Sequence, residues 1–149
     1  MPADLQLSIS VHDNVPVEEG RIVDNGLGKS NDHAAPLRPL SCFARMPTGA
    51  IVGGAVGRTW GECCELQHLW VEPEHRRQGV ATRLVRQFEQ HAQARGCRTF
   101  YLETFSFQAP SLYRALGYRV ELELSGFSAG IRKYTMVRHV ADVEAEARR

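Results

Sequence analysis

Hydrophobic positions along the chain change period in a readable order. Residues 5–11 alternate, with Leu5, Leu7, Ile9 and Val11 apolar, which predicts a half-buried strand. His12-Asp13-Asn14 is turn chemistry and Pro16 suits a helix start, so residues 17–25 are expected as a short helix stopped at Gly26. Residues 26–39, rich in Gly, Asn, Asp and Pro, are expected to form an irregular loop. Residues 40–46 and 50–60 read as strands joined by Pro47-Thr48-Gly49, a hairpin signal. Gly53, Gly54 and Gly57 weaken the second of these unless a neighbour or ligand requires close backbone approach. After the turn at Trp60-Gly61-Glu62, residues 63–71 add a third strand to this antiparallel run, and Pro73 ends it.

The period then lengthens. Over residues 80–95, Val80, Leu84, Phe88 and Ala92, with Ala81 and Val85, form one apolar stripe, and Gly96 sits where a helix C-cap belongs. Residues 99–104 read as a strand, and a strand–helix–strand unit implies a parallel pair. A short helix is expected over 111–116, closed by Gly117-Tyr118, then strands over 119–124 and 132–140 around a loop at 125–130. Residues 141–149 form a polar tail, expected to be frayed or loosely helical. At 149 residues the chain is expected to be one domain, in the order β-α-β-β-β-α-β-α-β-β.

The stretch over residues 66–96 organises the rest. An apolar strand end, Leu69-Trp70-Val71, runs through Pro73 and a basic turn into Gly79 and the long helix. Such a turn suits a pyrophosphate, because the first N–H groups of a helix lack internal partners and carry the positive end of its dipole. Gly79 permits close backbone approach, and Arg76 and Arg77 add positive charge at the mouth.

In that context Arg76-Arg77-Gln78-Gly79-Val80-Ala81 fits R/Q-x-x-G-x-G/A and resembles the acetyl-coenzyme A signature of the GNAT-type N-acetyltransferases. A second element, Ala109-Pro110-Ser111-Leu112-Tyr113-Arg114-Ala115-Leu116-Gly117-Tyr118, is similar to that superfamily's A-x-x-L/F-Y-x-x-L-G-Y/F. The resemblance covers most of the chain. It implies an α/β (α+β by some schemes) GNAT fold, a mixed, mostly antiparallel sheet splayed at its centre and flanked by helices. It implies acetyl-coenzyme A as cosubstrate, with the pyrophosphate on the N–H groups of Gln78, Gly79, Val80, Ala81 and Thr82. The thioester and pantetheine would lie against Leu69, Trp70 and Val71, where the superfamily carries a strand bulge, and a backbone N–H there would act as an oxyanion donor. Ala109 and Ser106 would face the cofactor arm; family members often carry asparagine where this chain has Ser106. Tyr113 would protonate the leaving thiolate, since a phenol with a pKa near 10 keeps its proton at neutral pH. A homodimer, formed through the last strands, is implied by resemblance alone.

Thioester aminolysis needs a neutral amine. Glu65 is the first candidate base, directly or through water, with Glu103 second and His68 third; each could equally be an exposed or structural strand residue. Trp70 and Tyr113 could likewise be plain packing residues. Carboxylates at Glu18, Glu19, Asp24, Glu65 and Glu103 suit a cationic amine such as a polyamine, an aminoglycoside or a peptide amine.

Charge and cysteine usage narrow the alternatives. Lys+Arg 18 against Asp+Glu 17 gives a formal +1, which argues against nucleic acid or an anionic membrane as partner. No apolar run reaches membrane length and the first residues lack the pattern of a secretory signal, so a cytoplasmic location is expected. Cys42, Cys63, Cys64 and Cys97 show neither CxxC spacing nor clustering with histidine, so no metal is expected. Gly26-Leu27-Gly28-Lys29-Ser30 imitates a P-loop, but Val23 stands where a glycine is needed and no apolar strand precedes it. A dinucleotide-binding domain fails for want of G-x-G-x-x-G. The remaining rival is a non-catalytic acyl-coenzyme A binding or sensor module on the same fold, against which an intact Tyr113 argues.

Overall fold

A computed structural model of the protein describes residues 6–30 and 36–141. The chain divides into two units, Met1–Ala34 and Ala35–Arg149. In the first, helix α1 spans Val17–Ser30. It runs past Gly26, where a stop was expected, because an isolated glycine costs a helix only about 1 kcal/mol. Glu18 and Glu19 in the first turn and Lys29 in the last suit its dipole, and Ser30 Oγ bonds back to the Gly26 carbonyl at 3.2 Å. The part of the expected loop at 26–30 is therefore helical, while 31–35 lies outside the described residues. The expected strand at 5–11 is also corrected: residues 6–11 form none, and Leu7, Ile9 and Val11 are exposed. Alternation marks a strand only where a sheet offers a partner and a covered face, and neither is present for these residues.

The second unit is a six-stranded sheet in the order β1-β2-β3-β4-β6-β5. Its strands are β1 (Arg38–Arg45), β2 (Ile51–Trp60), β3 (Cys63–Val71), β4 (Thr99–Phe105), β5 (Arg119–Leu124) and β6 (Lys133–His139). All neighbours are antiparallel except β3 and β4, which are parallel as the strand–helix–strand unit requires. That parallel pairing holds only from Cys63↔Thr99 to Leu66↔Leu102; beyond it the two strands run on unpaired and open a cleft. The expected splay is thus observed.

Between β3 and β4 in sequence lie helix α2 (Val80–Ala94) and, after β4, helix α3 (Pro110–Ala115). α2 lies across β1, β2 and β3 and buries Leu84, Val85, Phe88 and Ala92, the stripe read from its period. Each large side chain so covered contributes about 1.5–3 kcal/mol before entropy is subtracted. Both helices end in a Schellman motif. In α2, Cys97 N–H reaches the Ala92 carbonyl and Gly96 N–H that of Gln93; in α3, Tyr118 N–H reaches Tyr113 and Gly117 N–H reaches Arg114. Gly96 and Gly117, both at φ 97°, supply the left-handed residue that the motif requires.

The glycines of β2 serve close approach. A Cβ at Gly57 would lie 1.9 Å from the Glu65 carbonyl oxygen, and one at Gly53 would lie 3.0 Å from that of Trp70. Gly57 stands where the ladder slips: Val56 pairs with His68 and Gly57 with Leu66, leaving Gln67 as the bulged residue.

Candidate functional site

The cleft between the diverging strands has a volume of ≈ 640 Å³ and is walled by Leu69, Trp70 and Val71 of β3, Glu103 and Thr104 of β4, and Ala109, Leu112 and Tyr113 of the α3 segment. Arg76 and Ala81 close one end, where a second hollow of ≈ 230 Å³ begins, lined by His75, Arg77, Gly79, Val80 and Thr82. Leu69, Trp70, Val71, Arg76, Ala81, Ala109 and Tyr113, expected from the sequence to share one site, therefore do line one continuous depression with Arg77, Gly79, Val80 and Thr82.

Backbone strain shapes its basic end. Arg77 has φ 61° and Gly79 φ 77°, so the chain turns left-handed twice before α2 begins. The first bond of α2 runs from Arg83 N–H to the Gly79 carbonyl, and no side chain caps the helix. The N–H groups of Val80, Ala81 and Thr82 are thus the orphan donors of this terminus. A Cβ on Gly79 would meet no atom within 4 Å, so the space over the turn is open to a ligand. Arg76 is pinned there, its Nε donating to the Val71 carbonyl at 3.0 Å, and the buried His75 Nδ1 has no hydrogen-bond partner among the described residues. Open donors, a helix dipole and two guanidinium groups around this hollow fit a pyrophosphate.

At the other end sits Tyr113, 8 % exposed, its ring edge-on to Tyr118 at 5.9 Å. Burial pushes its phenol up to about 12. Trp70, by contrast, is half exposed, so it is a cleft wall rather than core. The β3 bulge falls at Gln67, two residues before the Leu69–Val71 stretch on which it was expected to act, and re-aims the backbone just ahead of it.

Of the base candidates, Glu103 and His68 line this cleft and Glu65 lies beside it. Glu65, His68, Tyr101 and Glu103 line a hollow of ≈ 300 Å³ where β3 and β4 part. Glu65 Oε2 accepts from the Tyr101 hydroxyl at 2.9 Å and faces Arg58 Nη2 at 3.5 Å. Glu103 is more exposed and pairs with Lys133 at 2.7 Å; His68 is exposed on β3.

Two expected residues stand apart. Ser106 Oγ accepts the Arg132 N–H at 3.1 Å, and Ser106 lines neither hollow. Gln78 is exposed, with its amide on the Glu74 carbonyl at 3.5 Å. Sequence reasoning missed Gln67, Thr104, Phe107, Gln108 and Leu112 as cleft walls; only the A-x-x-L/F element could have flagged Leu112. It also missed a buried charge cluster: Glu89 on α2, 3 % exposed, accepts from Arg138 of β6 and from the Tyr118 hydroxyl at 3.2 Å. Among the described residues no group of three or more His, Cys, Asp or Glu could hold a metal, and no helix is long and apolar enough to cross a membrane.

Comparison with known proteins adds a separate line. Residues 19–118 match the family described as Acetyltransferase (GNAT) family. The chain is 31% identical over 108 residues to Blasticidin-S acetyltransferase of Streptomyces morookaense, covering 72% of this chain and 79% of that protein. It is 25% identical over 123 residues to Thialysine N-epsilon-acetyltransferase of Sus scrofa, covering 77% and 72%. Among solved structures, an acetyltransferase from Bacillus cereus superposes with a TM-score of 0.77 at 26% identity, covering 88% of this chain and 98% of that one. The Escherichia coli ribosomal-protein-S18-alanine N-acetyltransferase, at 19% identity and TM-score 0.63 over 79% and 77% of the two chains, shares the fold.

Proposed function

This chain belongs to the GNAT acetyltransferase family, and on that premise we propose that it moves an acetyl group from acetyl-coenzyme A to a primary amine of a small molecule or peptide by direct attack. The observation that carries the reading is one depression with an open helix N-terminus at one end and a buried, protonated phenol at the other. Acetyl-coenzyme A would supply the thioester whose carbon takes the amine. The N–H groups of Gly79, Val80, Ala81 and Thr82, with Arg76 and Arg77, would hold its pyrophosphate, and Leu69, Trp70 and Val71 would flank its narrower arm.

Glu65, itself or through water, takes the proton that the ammonium must lose. The amine nitrogen then bonds to the acyl carbon as the carbon–sulfur bond breaks, Tyr113 gives the departing sulfur its proton, and the surplus N–H proton of the new amide nitrogen returns through water to the Tyr113 phenolate. Burial raises the phenol and keeps it protonated at neutral pH, so the proton is in place when the sulfur departs. Glu65 and Glu103 together favour a cationic amine.

Thermal unfolding with and without acetyl-coenzyme A tests the first half. At about 100 times its dissociation constant the ligand adds roughly 2.7 kcal/mol and raises the midpoint. Gly79→Glu, which puts a carboxylate over the turn, abolishes the rise with the variant otherwise folded. A panel of amines tests the second half: spermidine, kanamycin and a lysine peptide, read by thiol release. A midpoint that never moves removes the enzyme reading; a shift without turnover on a broad panel transfers the chain to the class of non-catalytic acyl-coenzyme A binders.

A further inference from the structure

Glu65 is held from both sides of its strand. On β2, Arg58 stands opposite it in the antiparallel ladder; on β4, Tyr101 stands opposite it in the parallel one. Both neighbours reach the same atom. The Tyr101 hydroxyl donates to Oε2 at 2.9 Å, and Arg58 Nη2 lies 3.5 Å from that oxygen. Oε1 has no hydrogen-bond partner among the described residues, and Glu65 lines the ≈ 300 Å³ hollow beside the cleft. Glu103 in the same hollow is held differently: one lysine of β6 reaches it, and its side chain is 56% exposed against 23% for Glu65.

We infer that Tyr101 and Arg58 are positioning residues that grip Glu65 by Oε2 and reserve Oε1 for the acceptor amine. The inference rests on the proposed acetyl transfer and on Glu65 meeting the amine. A carboxylate on a two-carbon stem samples several rotamers; two donors on one oxygen select one of them and leave the other oxygen with its lone pairs unspent. An ammonium group brings N–H donors and positive charge, and Oε1 is the open acceptor for them. The proton that the ammonium loses goes to Oε1, directly or through one water. Tyr101 is suited to a constant grip, since burial first, and the bond to Glu65 second, push its phenol up to about 12 and keep it a donor at neutral pH. The other titratable or charged side chains around the hollow are His68, and Glu103 with its partner Lys133.

The test measures acetyl transfer to whichever of spermidine, kanamycin or a lysine peptide turns over, with initial rates varied in amine and in acetyl-coenzyme A separately. Tyr101→Phe lowers kcat/KM for the amine roughly tenfold, the scale of one hydrogen bond to a charged group, with the acetyl-coenzyme A KM and the thermal midpoint unchanged. Arg58→Met acts in the same direction, and Arg58→Lys, which keeps a cation, recovers most of the loss. In a Glu65→Gln background, adding Tyr101→Phe costs nothing further, because both act through one carboxylate.

If Tyr101→Phe leaves the amine kinetics within twofold while Glu65→Gln depresses them, the inference is overturned and the proposed transfer stands. Should Tyr101→Phe lower the midpoint and weaken both substrates alike, the role is structural and the inference fails. Indifference to Glu65→Gln removes the role of Glu65, and the inference with it. A panel without turnover overturns both.

Discussion

A single absent methyl group fixes the geometry at Gly57. A Cβ there would stand 1.9 Å from the Glu65 carbonyl oxygen and 2.8 Å from the Phe88 ring, so backbone and core would both have to give way. Gly57→Ala is therefore expected to cost about 3 kcal/mol, the upper range for overpacking, read as a lower urea midpoint, and to disturb the bulge at Gln67 that leads into the cleft. Tyr113 makes the complementary prediction for chemistry. Its ring is packed against Tyr118 and its hydroxyl has no hydrogen-bond partner among the described residues, so Tyr113→Phe keeps the packing and loses only the proton. We expect kcat to fall by roughly 10²-fold or more, with the acetyl-coenzyme A KM within about twofold. A KM that rises as kcat stays constant would reassign the tyrosine to binding.

Elements are tied together by one buried ion pair. Glu89 of α2 meets Arg138 of β6, and the Tyr118 hydroxyl at the end of α3 joins them. Gly117 lets the arginine pass, since a Cβ there would stand 3.3 Å from its Nε. The cluster links the helix that opens on the phosphate turn to the segment that carries Tyr113. Arg138→Met strands a carboxylate that is 3 % exposed and should cost about 3–5 kcal/mol in chemical denaturation. The double variant Glu89→Met/Arg138→Met, with no charge left to strand, should recover most of that loss. If the single and double variants unfold alike, the pair is not what joins these elements. Nothing in the stripe of α2 announced Glu89, because period locates a buried face but not the charge another strand will bring to it.

The whole molecule carries a signature at high pH. Burial raises the phenols of Tyr101 and Tyr113 to about 12 and raises that of Tyr118, from an ordinary value of 10.0. Between these values the unfolded chain has released protons that the folded one retains, so stability is intact below pH 10 and falls as pH climbs from 10 towards 12. Tyr113→Phe should flatten that decline by at most about 1.4 kcal/mol per pH unit, measured by urea unfolding from pH 9 to 11. An unchanged slope would mean that the buried phenol does not titrate with folding.

What the sequence determined by itself was local. The period of α2, the glycine stops at 96 and 117, and the span Cys63–Val71 follow from neighbours a few residues apart, and the structure agrees with each. The parallel pair β3–β4 was also legible, because a strand–helix–strand unit has little choice. Tertiary structure decided the rest: residues 6–11 alternate without gaining a partner strand, whereas α1, which buries no residue, continues through Gly26 on local helix tolerance alone. It also decided that Ser106 serves Arg132, that Tyr101 and Arg58 share one oxygen of Glu65, and that Glu89 is buried with Arg138. Each of these joins residues from different elements. Spacing along a chain records what one element needs; which side chains meet across a sheet depends on register, and register is settled only when the sheet assembles.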